Sequence, residues 1–290
     1  MNMRNEKWLI VGADGLIGKE LLNLLNSSGN AALGTVFLEK PDLVRTFFLD
    51  LSGDISDWEA SEHTTIAVLC AAVTSQEECR RNPEAAREIN CIKTVELARK
   101  FVERGVFVIF PSTNLVFDGH EALNREDDPV SPRTEYARQK AETERGLLAL
   151  GTSVSIVRFS KIVWPEMPLL KGWMKALESG ESIQSFSDLR LSPIPLSFAV
   201  KALEEIGRKR LNGIIHVSGR KDITYSEMAY RIAELLGADR NLVRPVRARE
   251  SGQNIEWLPA HTTLNSTRFE KETGIMIPDV WETIEEVVRA

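Results

Sequence analysis

The sequence of 290 residues predicts an α/β protein, with a doubly wound parallel sheet followed by a smaller, mixed α/β domain. Short apolar runs alternate with amphipathic stretches up to about residue 160, which is typical of β-α-β units. The run Thr65–Cys70 is almost entirely apolar, as expected of a strand covered by helices on both faces. Four prolines between residues 165 and 195 then interrupt the pattern. We therefore expect a first domain over residues 1–160, with a further strand from about 211–218, and a second domain over residues 161–290.

The individual elements follow in chain order. Strands are expected at Trp8–Val11, Ala31–Leu38, Val44–Leu49, Thr65–Cys70, Val106–Phe110 and Val154–Arg158. Helices, where apolar residues recur at helical spacing, are expected at Leu16–Leu25, Glu84–Arg104, Pro132–Leu150, Leu169–Ser179, Phe198–Arg208, Tyr225–Leu236 and Val280–Val288. Thr224 and Glu227 have the spacing of a capping box at the start of one helix. Asn90 is a poor helix former, and its side chain is expected to bond to backbone near the sheet rather than take part in catalysis.

Composition and charge argue against several classes of protein. Hydrophobic residues make up 43% and charged residues 27% of the chain, which is ordinary for a soluble globular protein. A net charge of −6 argues against a nucleic-acid partner. The three cysteines and four histidines have neither disulfide-framework nor metal-ligand spacing. No apolar stretch reaches the roughly 18 residues of a membrane span, and the polar start of the chain runs directly into a strand. We therefore expect a cytoplasmic protein without a metal or a membrane segment.

A glycine-rich loop joins the first expected strand to the first expected helix. Its sequence is Gly12-Ala13-Asp14-Gly15-Leu16-Ile17-Gly18. The strand, loop and helix give the context of a dinucleotide fingerprint, with the spacing GxxGxxG rather than GxGxxG. Glycines there allow a tight turn, close approach of backbone N–H groups to a pyrophosphate, and close packing of helix on strand. The loop predicts a Rossmann-type domain that binds a dinucleotide, with a plain strand-to-helix turn as the alternative.

The residues that would distinguish NAD from NADP leave both cofactors open. Glu39 lies 21 residues past Gly18, where an acidic residue usually holds the ribose hydroxyls of NAD. Lys40 follows directly, and its cation would suit the 2′-phosphate of NADP. Two further pairs of residues are candidates for cofactor contacts: Asp50 and Leu51, and Ala71 and Ala72. A surface turn explains the first pair nearly as well, and close helix packing explains the second pair equally well.

A hydroxyl, a phenol and an ammonium group are expected around one carbonyl group. Tyr136 and Lys140 are four residues apart and therefore share one face of a predicted helix. A neighbouring ammonium lowers the pKa of a phenol from its usual value of about 10. Thr113 follows a strand that ends at Pro111, at the sheet edge where open α/β sheets bind ligands, and its hydroxyl can donate to a developing alkoxide. The three groups together predict proton transfer coupled to hydride transfer, whereas Tyr136 and Lys140 alone would also fit a solvated helix face.

In combination these motifs resemble the extended short-chain dehydrogenase/reductases, and among them the dTDP-4-dehydrorhamnose reductase-like family. The resemblance spans nearly all of residues 7–289. It is carried by the segments at 12–18, 70–90, 111–119, 131–145 and 190–194, and PSTNLVFDG at 111–119 is close to the family's STDYVFDG. It implies an NAD(P)H-dependent reductase of a 4-keto nucleotide-sugar. Thr113 then matches the catalytic Ser/Thr, Tyr136 the proton donor and Lys140 its partner.

The resemblance also suggests where the substrate binds. The candidate substrate-binding residues are Ser112, Asn114, Arg158, Trp164 and Arg190. A buried structural arginine is the alternative for Arg158, and a surface salt bridge is the alternative for Arg190. Asn114 and Leu115 replace the Asp and Tyr of the family phrase, and Trp164 stands where the family commonly has a small, glycine-containing turn. These departures affect the expected sugar more than the expected reaction.

Two other functions remain open, together with the state of assembly. A nucleotide-sugar epimerase or dehydratase usually needs an additional acid/base group, and Asn114 stands where its carboxylate would be. A non-catalytic, NADP-binding regulatory subunit, such as the methionine adenosyltransferase accessory subunit, is less consistent with an intact Thr113, Tyr136 and Lys140. The resemblance further implies a homodimer, in which the helices 84–104 and 132–150 pair across a two-fold axis.

Overall fold

The computed structural model describes residues 6–37, 45–252 and 255–290, and the chain divides into two compact units. The first unit comprises Met1–Val116, Val130–Arg158 and Ser197–Ile215. The second unit comprises Phe117–Pro129, Phe159–Leu196 and His216–Ala290. No helix in the described part of the chain is long and apolar enough to span a membrane.

The described residues form thirteen strands and ten α-helices. The strands are β1 (Lys7–Val11), β2 (Ala31–Val36), β3 (Thr46–Phe48), β4 (Ile66–Leu69), β5 (Phe107–Thr113), β6 (Val154–Phe159), β7 (Lys161–Val163), β8 (Ile183–Phe186), β9 (Arg190–Leu191), β10 (Pro193–Pro195), β11 (Gly213–Val217), β12 (Ile223–Thr224) and β13 (Val243–Val246). The helices are α1 (Leu16–Ser27), α2 (Gln76–Arg81), α3 (Pro83–Arg87), α4 (Thr94–Glu103), α5 (Glu135–Leu148), α6 (Pro168–Glu178), α7 (Leu196–Lys209), α8 (Tyr225–Leu235), α9 (Thr267–Thr273) and α10 (Val280–Arg289). A π-helical segment, Glu88–Lys93, joins α3 to α4, and a 3₁₀ turn, Asn114–Val116, follows β5.

Seven strands form one sheet in the order β3-β2-β1-β4-β5-β6-β11. The strands from β3 to β5 pair in parallel with their neighbours. The chain winds outward in one direction from β1 to β3 and in the other from β4 onward, so the winding reverses between β1 and β4. This topology confirms the predicted doubly wound, Rossmann-type α/β fold.

The first unit is held together by apolar residues on both faces of this sheet. Every residue of β4 is buried, and so are Leu9 and Val11 of β1 and Val108 of β5. The helix α1 covers one face with Leu21, Leu22 and Leu25. Full burial of one such side chain contributes about 1.5–3 kcal/mol, so a strand that is covered on both faces must be apolar at successive positions.

The helix expected at 84–104 is present, but it is not α-helical throughout. It is divided into α3, the π-helical segment and α4, and Asn90 lies buried in the π-helical segment. Within the same stretch, the Thr94 hydroxyl donates to the carbonyl oxygen of Ile89, five residues earlier, at 2.9 Å. The wider turn alters which residues face α5, and such segments are frequent at functional sites.

Two boundaries near the expected site also differ from the sequence expectation. The strand expected to end at Pro111 continues as β5 to Thr113. Its pairing with β4 ends at Ile109, so the missing N–H of Pro111 removes no bond from that ladder. The helix expected from Pro132 begins at Glu135, because the Thr134 side chain accepts from the backbone N–H of Ala137 and caps the helix.

The second unit has its own apolar core, built around α6, α8 and α10. Trp173 of α6, Met228 of α8 and Ile284 of α10 are among its buried members. Three two-stranded pairings accompany the helices: β7 with β10 and β8 with β13 in parallel, and β9 with β12 antiparallel. The capping box predicted from Thr224 and Glu227 is present at the start of α8.

Candidate active site

The glycine loop folds tightly against the end of β4. Gly12 has a φ of +84°, and a β-carbon at this position would lie 2.6 Å from the backbone nitrogen of Ala71. A β-carbon at Gly18 would lie 2.2 Å from the carbonyl oxygen of Gly12. Both positions therefore require glycine, the first for the turn and the second for the packing of α1 on the loop. The loop and Ala71 meet where the winding of the sheet reverses.

Gly15 has a different environment from the other two glycines of the loop. It is exposed, and a β-carbon there would meet only the Gly12 carbonyl oxygen, at an ordinary 3.4 Å. The helix α1 begins at the next residue, so the backbone N–H groups of its first turn have no intrahelical acceptors. That turn carries no acidic side chain, which leaves the positive end of the helix dipole available to an anion. The loop thus has the form of a cradle for a pyrophosphate.

Asp14 ties this loop to the end of β2. Its carboxylate accepts from the backbone N–H of Phe37 at 3.2 Å, and the Thr35 hydroxyl accepts from the backbone N–H of Gly12 at 3.1 Å. Glu39 and Lys40, the candidates for choosing between NAD and NADP, lie outside the described residues. NAD and NADP therefore both remain candidates for the cofactor.

The two remaining pairs of cofactor candidates differ in their surroundings. Asp50 accepts from both the backbone N–H and the hydroxyl of Ser52 at 2.7 Å, which is the bonding of a surface turn. The Leu51 side chain is buried in the core of the first unit. Ala71 and Ala72 are half-buried after β4, and Ala71 packs on the glycine loop. The second pair therefore lies next to the cradle.

Lys140 is held beside the end of β5. Its side chain is only 5% exposed, and its ammonium donates to the carbonyl oxygen of Pro111 at 2.9 Å. The same nitrogen lies 4.2 Å from the centroid of the Phe110 ring and 5.9 Å from that of Tyr136. Burial lowers the pKa of Lys140 to about 8, while the nearby Glu144 carboxylate opposes the change. Lys140 therefore loses its proton at a pH only slightly above neutral.

Tyr136 departs from the sequence expectation in its acidity. The neighbouring ammonium was expected to lower the pKa of the phenol, but burial raises it above its usual value of 10. The phenol itself is desolvated, and the Lys140 ammonium bonds to the carbonyl oxygen of Pro111. A phenol with a raised pKa remains protonated at neutral pH. Tyr136 is therefore a phenol rather than a phenolate at that pH.

Thr113 ends β5 and is half-buried. Its hydroxyl accepts from the backbone N–H of Leu115 at 3.2 Å and donates to the side-chain oxygen of Asn114 at 3.4 Å. Asn114 and Leu115 open the 3₁₀ turn, against which α5 packs. The residues at which the chain departs from the family phrase therefore contact the predicted catalytic hydroxyl directly.

Ser112 and Arg158 both bond to Glu144, a residue that the sequence analysis did not select. The Ser112 hydroxyl donates to one carboxylate oxygen at 2.5 Å, and the Arg158 guanidinium donates to the other at 2.7 Å. The Arg158 and Glu144 side chains are each 3% exposed. This bonding agrees with the alternative of a buried structural arginine. Glu144 follows Lys140 by four residues and Tyr136 by eight, and this spacing is the signal that would have identified it.

A second buried network attaches α5 to the loop after β4. Asn90 accepts from the backbone N–H of Val73 at 2.7 Å and donates to its carbonyl oxygen at 3.0 Å. Asn90 also donates to the side chain of Gln139 at 2.8 Å, and Gln139 donates to the carbonyl oxygen of Pro83 at 3.1 Å. The predicted bonding of Asn90 to backbone is confirmed. The network fixes the helix that carries Tyr136 relative to the segment that follows Ala71 and Ala72.

The remaining candidates, Trp164 and Arg190, belong to the second unit. Trp164 is half-buried and packs against the core of that unit. Arg190 is exposed on β9, opposite Thr224 of β12. Among the described residues, no group of three His, Cys, Asp or Glu side chains is placed to hold a metal ion.

Comparison with known proteins gives one family and several relatives. The RmlD substrate binding domain matches residues 6–290. The dTDP-4-dehydrorhamnose reductase of Streptomyces griseus is 30% identical over 249 residues, which cover 82% of this chain and 79% of that protein. The methionine adenosyltransferase 2 subunit beta of Bos taurus is 25% identical over 265 residues, with 85% and 77% covered. A crystal structure of dTDP-4-dehydrorhamnose reductase from Bacillus anthracis in complex with NADP is similar to this chain with a TM-score of 0.83 and 22% identity. The similarity covers 99% of both chains and supports the same fold.

Proposed function

Because this chain belongs to the RmlD substrate binding domain family, we propose that it is an NAD(P)H-dependent reductase of a keto nucleotide-sugar. Its relative from Streptomyces griseus is a dTDP-4-dehydrorhamnose reductase, and the similar Bacillus anthracis enzyme binds NADP. The substrate we propose is a 4-keto-deoxy sugar linked to a nucleoside diphosphate, and the product is the corresponding alcohol. The preference for NAD or NADP stays open.

The glycine loop supports the cofactor assignment. Gly12 and Gly18 leave no space for a side chain, whereas the exposed Gly15 leads into the first turn of α1, whose backbone N–H groups have no intrahelical acceptors. Ala71 lies against this loop and offers only a methyl group to a flat ligand. When bound, NAD(P)H supplies the hydride that reduces the carbonyl carbon. The chain itself must bind the dinucleotide, polarise the carbonyl oxygen and donate a proton to it.

The proton donor we propose is Tyr136, and the buried Lys140 one helical turn away is the observation that carries the proposal. The raised pKa of Tyr136 keeps the phenol protonated, which is the form that a reduction needs. After donation the phenolate is stabilised by the Lys140 ammonium, whose nitrogen lies 5.9 Å from the ring centroid. Thr113, at the end of β5, donates to the developing alkoxide. Lys140 can also hold a ribose hydroxyl of the cofactor.

Substitution of Tyr136 by Phe tests this assignment. General acid catalysis typically contributes about 10²–10⁴-fold, so the kcat for ketosugar-dependent NAD(P)H oxidation is expected to fall by about that factor. Tyr230→Phe is the matched control, because Tyr230 is also half-buried on a helix but lies in the second unit. A Tyr136→Phe variant that keeps nearly the full rate would exclude Tyr136 as the proton donor.

A regulatory subunit is the second candidate function. The similarity to the methionine adenosyltransferase 2 subunit beta of Bos taurus favours it. Under this alternative the chain would bind a dinucleotide, copurify in fixed ratio with a heterologous enzyme and reduce no ketosugar. An epimerase would instead convert the sugar without net oxidation of cofactor. Absorbance at the nicotinamide band during turnover separates the reductase from both.

We further propose that the chain acts in the cytoplasm as a homodimer. The expected contact involves the helices around residues 84–104 and 132–150, where Ile92 and Leu148 are exposed apolar side chains. Burial of such side chains against a second copy would remove apolar surface from water. Light scattering measures the mass in solution, and a monomer at micromolar concentration would contradict the proposed dimer.

A further inference from the structure

Three functional groups follow one another along the inner face of α5. Tyr136, Lys140 and Glu144 are spaced by four residues, so each lies about one turn from the next. The Glu144 carboxylate accepts from Ser112 of β5 through one oxygen and from Arg158 of β6 through both. The helix α5 therefore carries both the proposed proton donor and the acidic member of the buried ion pair.

Stability alone does not explain a buried ion pair at this position. Desolvation of two charges offsets much of their attraction, and well-packed apolar residues of similar volume are often as stable. Glu144 and Arg158 are each 3% exposed, so both charges are desolvated. Ser112, which also donates to the Glu144 carboxylate, directly precedes Thr113. The burial of the ion pair and its bond to Ser112 are both consistent with a role in the chemistry of Thr113, Tyr136 and Lys140.

The groups that face Lys140 come from four elements. Cys70 follows β4, Cys79 lies on α2, Cys91 lies in the π-helical segment, and Glu144 lies on α5. Burial raises the pKa of Cys70 to about 12 and that of Cys91 to about 11, and it also raises the pKa of Cys79. The three thiols and the Tyr136 phenol are therefore uncharged at neutral pH. Among these described groups, Glu144 alone offers a negative charge to the Lys140 ammonium.

We infer that the Glu144–Arg158 pair sets the charge state of Lys140 and thereby the pH range over which Tyr136 can act. Glu144 favours the ammonium, and Arg158 limits that effect by sharing the carboxylate. The two residues are positioning residues that act through Lys140, and neither contacts the reacting atoms. The inference deepens the proposed reductase function and rests on it for its catalytic consequence.

Replacement of Glu144 and replacement of Arg158 should shift the titration midpoint of Lys140 in opposite directions. Glu144→Gln removes the carboxylate and leaves the Arg158 cation, so Lys140 should lose its proton at lower pH. Arg158→Met leaves the whole carboxylate charge to Lys140, so Lys140 should keep its proton to higher pH. Each midpoint is expected to move by about one pH unit, a typical effect of one nearby charge. Disruption of packing alone would not produce opposite signs.

The midpoint can be measured by NMR on protein that carries ¹³C at the lysine ε-carbons, without substrate or cofactor, and Lys140→Met identifies the signal. The matched control is Glu142→Gln, the same change on the same helix. Glu142 is paired with Arg87 at the surface and should leave the Lys140 midpoint unchanged. Unchanged midpoints in both test variants, or shifts of the same sign, would overturn the inference.

A charge-swapped variant covers the case in which a single substitution does not fold. Glu144→Arg combined with Arg158→Glu keeps an ion pair but places the cation on α5, so the Lys140 midpoint should fall. An unchanged or raised midpoint in this variant contradicts the inference. In active enzyme the alkaline limb of kcat/KM should follow the NMR midpoints. If the midpoints shift as expected while the unmodified chain oxidises no NAD(P)H with any ketosugar, the proposed function fails and the charge coupling stands.

Discussion

Replacement of Asn90 by Leu tests whether the buried amide network holds α5 to the loop after β4. Asn90 is 2% exposed and makes three bonds of 2.7–3.0 Å, two to the backbone of Val73 and one to Gln139. Leu has a similar volume but leaves these groups without their partner. Each buried polar group without a partner costs about 1–3 kcal/mol, and Val73 is half-buried, so water can replace part of the loss.

The expected result is a loss of about 2–4 kcal/mol in the free energy of unfolding, or roughly 5–15 °C in Tm. Urea and thermal unfolding followed by circular dichroism measure both quantities. Asn23→Ala, at an exposed position of α1, is the control and should change the free energy by less than about 0.5 kcal/mol. If Asn90→Leu costs less than about 1 kcal/mol, the network does not hold these elements together, and the reasoning is wrong.

Three further outcomes are expected. Gly12→Ala should prevent stable folding or lower Tm strongly, because the φ of +84° and the contact with Ala71 exclude a β-carbon. Gly15→Ala should leave Tm nearly unchanged but weaken dinucleotide binding, as measured by calorimetry. The reductase rate should fall as pH rises through about 8, because Lys140 loses the charge that stabilises the phenolate, and a rate that is flat to pH 10 would contradict this role. Thr224→Ala should cost about 1 kcal/mol through loss of the capping box of α8, and no loss in urea unfolding would contradict that assignment.

The fold was predictable because its signals are local. The strand β4 is an unbroken apolar run, and the glycine loop lies directly between β1 and α1, so spacing alone predicted the order of elements. The π-helical segment was not predicted. Its position coincides with bonds from Asn90 to Val73 and to Gln139, which is 49 residues away in the chain, and no local pattern carries that information.

The candidate site was predictable where one element carries its members. Tyr136 and Lys140 lie on one helix, and their shared face follows from their spacing. The acidity of Tyr136 was not predictable, because it depends on burial more than on the nearest charge. The environment of Arg158 was likewise left open until its partner, Glu144, was known.

Transfer of deuterium tests the central claim most directly. The chain would be incubated with a dTDP-linked 4-keto-6-deoxy sugar and with NADH or NADPH deuterated at C4, and the sugar would be analysed by mass spectrometry. The proposed reductase predicts a sugar alcohol that carries the deuterium, formed in equal amount to oxidised cofactor. An unchanged ketosugar, or an isomerised sugar without deuterium and without oxidised cofactor, would contradict the claim.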